Sequence, residues 1–221
     1  MSQPLYVFDM DDTLIDGDCA MIWNEFLVDK GIATDPEFLN QDRYLMSLYA
    51  RGEMDMEDYL DYVMQPLAAL PVEQVHALVD ECVDRRIMPR LFDEARNLIA
   101  TLKAHNTTML IISASVSFLV EAVAKQVGIP HALGIDMAVS NGHYSSEIVG
   151  VPSYREGKVA RLEEWLLTHP QHLDEVHFFT DSINDLPLCQ HADFAYLVNP
   201  CQRLAAHAGQ PHWQVLRWGQ A

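Results

Sequence analysis

The chain has 221 residues, 49% hydrophobic and 21% charged, enough for one large domain or a core domain carrying a smaller insertion. Its 14 Lys and Arg stand against 32 Asp and Glu, a formal charge of −18. That balance disfavours nucleic acid and anionic membrane as partners, because both need a basic footprint. An anionic ligand has to be drawn in by a local metal or a few placed cations.

The run Leu5-Tyr6-Val7-Phe8 is too short for a helix and rich in β-formers, so a buried strand is expected to stop at Asp9. Asp9, Asp11 and Asp12 follow within four positions, then Thr13. Like charges that close cost folding energy unless a cation or protonation relieves them. An EF-hand loop starting at Asp9 would need Gly at its sixth position and Glu at its twelfth; Leu14 and Ala20 stand there instead. No basic region precedes the acidic cluster, which argues against a signal segment. No stretch approaches the ~18 apolar residues of a membrane span.

After Ile15 the pattern turns helical. Stripes around Met21 to Leu27, Tyr44 to Tyr49, Tyr59 to Val63 and Val72 to Val83 predict four helices, closed or opened by Gly31, Gly52, Asp55, Pro66 and Pro71. From Met88 helices and strands alternate: a helix over 90–105, a strand over 108–112, and a helix over 117–127 stopped by Gly128 and Pro130. A hairpin is signalled by Asn141-Gly142. A helix over 156–168 ends before Pro170, a strand covers 176–179, a short helix lies near Leu186, and a strand covers 194–198. Such alternation predicts an α/β fold with a doubly wound parallel sheet. We assign 1–15 and 87–221 to this core and 16–86 to a helical-bundle cap over its carboxyl edge, where open α/β sheets bind ligands.

The four cysteines are scattered, with no Cys-x-x-Cys pair, and read as free thiols in a reducing cytoplasm rather than a zinc site. The ten histidines fall at no convincing ligand spacing. The chemistry-bearing residues lie at strand ends and helix starts. Asp9 and Asp11 suit attack by one carboxylate and proton transfer by the other, with a divalent metal damping their repulsion. Ser113 follows the strand ending at Ile112, as a turn, a helix cap or an anion ligand. Lys158 falls in a predicted first helical turn, against the helix dipole, either as a solvated surface residue or because a buried phosphate–carboxylate pair holds it there. Asp181 and Asp185, four apart beyond another strand, suit a shared cation.

The block Val7-Phe8-Asp9-Met10-Asp11-Asp12-Thr13-Leu14 resembles the first motif of the haloacid-dehalogenase superfamily, and the chain is similar to its phosphoserine-phosphatase-like members. Ser113, Lys158 and Thr180-Asp181-Ser182-Ile183-Asn184-Asp185 resemble the second, third and fourth motifs in the same order, with Thr180 where the pattern usually has Gly. The resemblance implies a Mg²⁺-dependent phosphomonoester hydrolase acting through an aspartyl-phosphate. Asp9 would attack and Asp11 transfer protons; Ser113, with the backbone at Ala114, and Asn184 would hold the phosphoryl group. Lys158 would offset charge, and Asp9, Asp11 with the Met10–Asp11 backbone, Asp181 and Asp185 would form the metal set. Asp18 lies nine residues past Asp9, where the resemblance puts an acid that reads a substrate ammonium, and it is equally placed to cap a helix. A small, amine-bearing phosphate such as phosphoserine or histidinol phosphate is the expected substrate. A phosphomutase or a phosphatidylglycerophosphate phosphatase is the alternative, the second without a basic amphipathic helix to support it. A non-catalytic phospholigand-binding module would be expected to have lost Asp9 or Asp11.

Overall fold

The computed structural model describes residues 3–169 and 173–219. The strands are β1 (Gln3–Phe8), β2 (Thr108–Val116), β3 (His131–Ser140), β4 (His143–Val149), β5 (Leu173–Thr180), β6 (Phe194–Val198) and β7 (Trp213–Leu216). They form one sheet in the order β4-β3-β2-β1-β5-β6-β7. Every pairing is parallel except that of β3 with β4. The two arms of that hairpin are joined by Asn141 and Gly142, both at positive φ (51° and 79°), the turn that an Asn-Gly pair favours.

The central strands are apolar on both faces, as expected where helices cover both sides of a parallel sheet. Successive side chains alternate. Leu5, Val7, Leu110, Ile112, Val176 and Phe178 pack to one side. Phe8, Met109, Ile111 and Phe179 pack to the other. Helices α5 (Asp93–Ala104) and α6 (Ser117–Val127) cover the second side, while α7 (Glu156–Thr168), α8 (Leu186–His191) and α9 (Gln202–Ala205) cover the first. The Pro170 expected to stop α7 lies outside the described residues.

Between β1 and β2 the chain forms α1 (Cys19–Asp29), α2 (Phe38–Arg51), α3 (Met56–Val63) and α4 (Val72–Cys82). Asp18 caps α1, its side chain accepting from the Met21 N–H, and Asp55 caps α3 by accepting from Glu57 and Asp58. Gly52, at φ 71°, ends α2 in the left-handed conformation that glycine tolerates best. The apolar faces of these helices join the core: Ile22, Trp23, Phe26 and Leu60 belong to the same buried cluster as Phe118 and Leu119 of α6. A π-helical turn (Val83–Ile87) and a 3-10 turn (Met88–Arg90) lead back to α5.

Two features differ from expectation. Strand β2 continues past Ile112 to Val116; its ladder with β3 breaks after Ile112 and resumes at Val116–Ile135. Ser113 is therefore neither a turn residue nor a helix cap. Elements α9 and β7 were not anticipated, because four residues each carry too little periodicity to stand out.

Candidate active site

Parallel register sets the site. Phe8 pairs with Ile111 on one side and Phe179 on the other, so β1 and β5 finish within one residue of each other while β2 runs on past them to Val116. The Asp9 N–H still donates to the Phe179 carbonyl (2.9 Å), carrying the alignment one residue past the strand. Asp9 and Asp181 therefore leave the sheet beside Ser113, which β2 still carries, at the edge where such sheets bind ligands.

Asp9 is 5% exposed, and Lys158, 1% exposed, places Nζ 2.9 Å from Asp9 Oδ1. The same ammonium lies 2.7 and 2.8 Å from the two carboxylate oxygens of Asp185. Burial opposes the Lys158 charge, but Asp185 and then Asp9 outweigh it and hold the group above its ordinary pKa. Thus the cation that α7 carries in its first turn is buried between two carboxylates rather than solvated. Burial pushes Asp9 up to about 8, against the attraction of Lys158 and with the repulsion of Asp185 and Asp11. Thr180, which departs from the usual Gly, donates from its hydroxyl to Asp185 Oδ2 (2.7 Å) and accepts from the Ser182 N–H (3.1 Å). The substitution adds a buried support for the carboxylate that holds Lys158.

Asp11 faces the other way. Its Oδ1 accepts from the Cys19 N–H (2.7 Å) at the start of α1, and its Oδ2 accepts from the hydroxyls of Ser113 (3.1 Å) and Ser115 (3.0 Å). Ser113 is fully buried; its oxygen also accepts from the Ser115 N–H, and its carbonyl accepts from the Ser153 hydroxyl at 2.6 Å. The sequence pattern gives Ser115 no role of its own, although a strand puts residues two apart on one face and so sets Ser115 beside Ser113.

Gly157 lets α7 begin so close to the preceding loop: a Cβ there would sit 2.0 Å from the Pro152 carbonyl oxygen, a backbone atom that cannot swing aside. Gly157→Ala should therefore displace the first turn that carries Lys158. We expect a stability loss of about 1–3 kcal/mol and a fall in turnover together, read by thermal melting and phosphate release.

Asp181 stands on the Asp9 side. Its Oδ1 accepts from the Thr13 hydroxyl at 3.4 Å, and burial, then the charges of Asp9 and Asp12, raise its pKa well above the ordinary carboxylate range. Two buried carboxylates that repel each other make a hard, charge-starved oxygen set. That fits a divalent cation such as Mg²⁺, which commonly takes one or two protein carboxylates and completes its shell with water and phosphate. The larger side-chain set expected from the sequence is not brought together. Among the described residues, no group of three or more His, Cys, Asp or Glu side chains is arranged to hold a metal ion. Asp11 is engaged by its hydroxyl and N–H donors and Asp185 by Lys158 and Thr180, while the Met10 carbonyl accepts from Leu14 and Ile15.

Asn184 donates from Nδ2 to the Tyr49 carbonyl (3.0 Å) near the end of α2. Arg203 donates to the Arg51 carbonyl (2.8 Å) and Arg155 to that of Gly52. Three side chains from beyond the sheet thus hold the carbonyl end of one helix over the site, an end whose dipole favours cations. Under that helix a small cavity of about 40 Å³ opens beside Asp11 and is lined by Asp18, Ala114, Ser115 and Tyr49 among others. Asp18 both caps α1 and lines the cavity, so capping does not take it away from a ligand.

A family description, haloacid dehalogenase-like hydrolase, matches residues 6–190. The chain belongs to that family. A histidinol-phosphatase of Neisseria meningitidis serogroup C (strain 8013) is 30% identical over 218 residues, 97% of this chain and 98% of the relative. A phosphoserine phosphatase of Mycobacterium tuberculosis (strain ATCC 25618 / H37Rv) is 25% identical over 217 residues, 94% of this chain and 68% of the relative. Among solved structures, a Bordetella pertussis Tohama I protein of unknown function aligns with a TM-score of 0.88 at 31% identity, covering 98% of this chain and 99% of its own. A phosphoserine phosphatase captured as an analogue of its phospho-aspartyl intermediate aligns with a TM-score of 0.71 at 17% identity, covering 97% and 94%, a likeness of fold. The chain is a phosphatase of the haloacid dehalogenase-like family, with an α/β core of the kind those neighbours share.

Proposed function

We propose that this haloacid dehalogenase-like phosphatase hydrolyses a small, amine-bearing phosphomonoester with Mg²⁺, through an aspartyl-phosphate on Asp9. The observation that carries the reading is the division of labour between the two carboxylates at the end of β1. One is clamped by a buried ammonium, and the other is turned to a cavity and surrounded by N–H and O–H donors. Lys158 holds Asp9 Oδ1, leaving Oδ2 to attack phosphorus; the bond from phosphorus to the leaving oxygen breaks as the Oδ2–P bond forms. Asp11, beside the cavity, delivers a proton to the leaving alkoxide. It then takes a proton from the water that attacks the phosphorus of the aspartyl-phosphate, which returns Asp9 as a carboxylate. Asp9 and Asp181 would hold Mg²⁺, whose charge would offset that of the phosphoryl oxygens and of both carboxylates. Ser113, the Ala114 backbone and Asn184 are assigned to the phosphoryl group; the Asn184 amide exchanges its Tyr49 carbonyl for a phosphoryl oxygen as substrate enters.

Asp18, at the cavity wall, is assigned to the substrate ammonium. Its carboxyl is pushed well above the ordinary range by burial and then by Asp11, and a cationic ligand would relieve both. The helices of 16–86 act as the cap over a core of 1–15 and 87–221. No helix among the described residues is long and apolar enough to cross a membrane. Four free cysteines, three of them buried, support a place in the reducing cytoplasm.

The test is phosphate release from a panel of phosphorylated amino acids, amino alcohols, sugars and lipids. We expect kcat/KM for amine-bearing members to exceed that for para-nitrophenyl phosphate; the reverse order rejects the substrate class, and an isomerised product without free phosphate would indicate a mutase. Removal of the cation tests the second part. Excess EDTA should abolish turnover and added Mg²⁺ restore it, while Asp181→Ala should need at least roughly tenfold more Mg²⁺ for half-maximal rate. Full activity in EDTA contradicts the metal assignment.

A further inference from the structure

Two of the attachments that hold the helices of 16–86 to the sheet are built differently. On the hairpin side the Val72 N–H donates to the Gly142 carbonyl (2.9 Å), Pro71 bridges to His143, and His76 Nε2 lies 2.8 Å from the Tyr144 hydroxyl. None of those groups is assigned to phosphate. Over the site the attachment is instead a set of side chains on the end of α2. Asn184 donates to the Tyr49 carbonyl, Arg203 to that of Arg51 and Arg155 to that of Gly52. They converge on one point: a Cβ on Gly52 would lie 2.8 Å from Arg155 Nη2, 3.6 Å from Asn184 Oδ1 and 3.8 Å from Arg203 Nη1. The Arg155 guanidinium also lies 4.9 Å from the Tyr154 ring, itself 5.5 Å from the ring of Tyr49.

Closing a helix end does not by itself call for this set. The left-handed Gly52 already closes α2: its N–H donates to the Tyr49 carbonyl (2.9 Å), and the Glu53 N–H donates to that of Leu48 (2.8 Å). Asn184 is thus a second donor to a carbonyl that keeps its first. It leaves for a phosphoryl oxygen without stranding that acceptor. The two guanidinium groups are charged donors at the helix end whose dipole favours cations, so their bonds are the stronger ones. The chain has 32 Asp and Glu against 14 Lys and Arg, yet it commits two of those cations to backbone carbonyls at one helix end. Arg155 lies three residues before Lys158, whereas Arg203 is exposed on α9, which contributes no group to the chemistry proposed above.

We propose that Arg203 and Arg155 are positioning residues that hold the end of α2 over the site while Asn184 changes partners, so that binding of phosphate does not release the helix above it. This rests on the assignment of Asn184 to the phosphoryl group given above and adds two residues to it. In the free protein, loss of Arg203 leaves Asn184 and Arg155 on the helix end. With phosphate bound Asn184 has left, and loss of Arg203 leaves Arg155 alone. Arg203 therefore matters more in the liganded protein than in the free one, whereas an ordinary surface bond counts equally in both. Tyr49, in the last turn of α2, lines the cavity beside Asp11, so a freed helix end would open the leaving-group side to water.

The experiment measures hydrogen exchange of the peptide spanning 48–54 by mass spectrometry, with Mg²⁺ alone and with Mg²⁺ plus orthovanadate as a phosphoryl mimic. Wild type, Arg203→Ala and Arg203→Lys are compared, and kcat and KM for para-nitrophenyl phosphate are measured beside them. In the wild type orthovanadate should leave exchange of this peptide unchanged or slower. In Arg203→Ala exchange should match the wild type with Mg²⁺ alone and be faster with orthovanadate. Its kcat/KM should fall roughly tenfold, about what one hydrogen bond from a charged donor contributes. The loss should be carried mainly by kcat, since added substrate does not replace the missing bond. Arg203→Lys keeps a charged donor and should recover most of both losses. Exchange raised equally with and without orthovanadate, or an unchanged kcat/KM, overturns the proposal. The underlying assignment fails separately: orthovanadate that does not compete with substrate in the wild type, or that binds Asn184→Ala as tightly as the wild type, rejects Asn184 as a phosphoryl ligand and the change of partners with it.

Discussion

Asp9→Asn is expected to lower phosphate release on the order of 10⁴-fold or more while leaving the protein folded. A carboxamide does not form the acyl-phosphate, and two neighbouring carboxylates are otherwise engaged: Asp11 faces Ser113, Ser115 and the start of α1, and Asp185 is bound to Lys158 and Thr180. The effect on stability should run the opposite way in metal-free protein. The folded state raises the Asp9 pKa from the usual carboxylate value to about 8, so the stabilising, protonated form is lost as pH rises through that range. At neutral pH the fold therefore favours a neutral side chain at position 9, and Asn supplies one while Lys158 keeps Asp185. The melting temperature in EDTA should be unchanged or higher, a sign that the carboxylate is kept for chemistry. Near-normal turnover in Asp9→Asn, with deamidation excluded by mass, would falsify the assignment of the nucleophile.

Lys158→Met should damage fold and function together. The ammonium is buried between two carboxylates, and removing one member of such a cluster leaves buried charge unbalanced, at a cost of about 3–5 kcal/mol. Arginine should not rescue it, because a planar fork does not fit where a single nitrogen serves Asp9 and both oxygens of Asp185. Combining Lys158→Met with Asp185→Asn removes most of the unbalanced charge. The double variant should regain part of the melting temperature and none of the turnover. Recovery of turnover as well would make Lys158 a structural residue only.

Much of this arrangement was legible in the sequence because it depends on backbone position. An apolar run ending in Asp9, a second ending near Ser113 and a third ending at Asp181 must finish at one edge once the strands are parallel and in register, and they do. Lys158 in a first helical turn left a solvated surface residue and a buried partner both open, and the side chain is buried between Asp9 and Asp185. The direction of each side chain was less readable. Whether Asp11 turns to the Asp9 side or to the cavity depends on the Cys19 N–H, eight residues on at the start of α1, and on the Ser115 hydroxyl, from a strand longer than its apolar run. Thr180 looked like a departure from pattern; its value shows only when Asp185, five residues on, folds back over its hydroxyl. The grip of Asn184, Arg155 and Arg203 on the end of α2 joins residues more than a hundred positions apart, and no local periodicity announces it.

The central claim is that phosphate passes through Asp9, and one measurement reads it at the residue itself. Enzyme and substrate are mixed at equimolar concentration, acid-quenched during the first turnover, reduced with borohydride and digested for mass spectrometry. An aspartyl-phosphate is reduced to homoserine where a free carboxylate is not. The account predicts homoserine at position 9, rising and falling within the turnover and absent from Asp9→Asn. Phosphate released at the normal rate with homoserine at position 11 or 181, or at none, would contradict it.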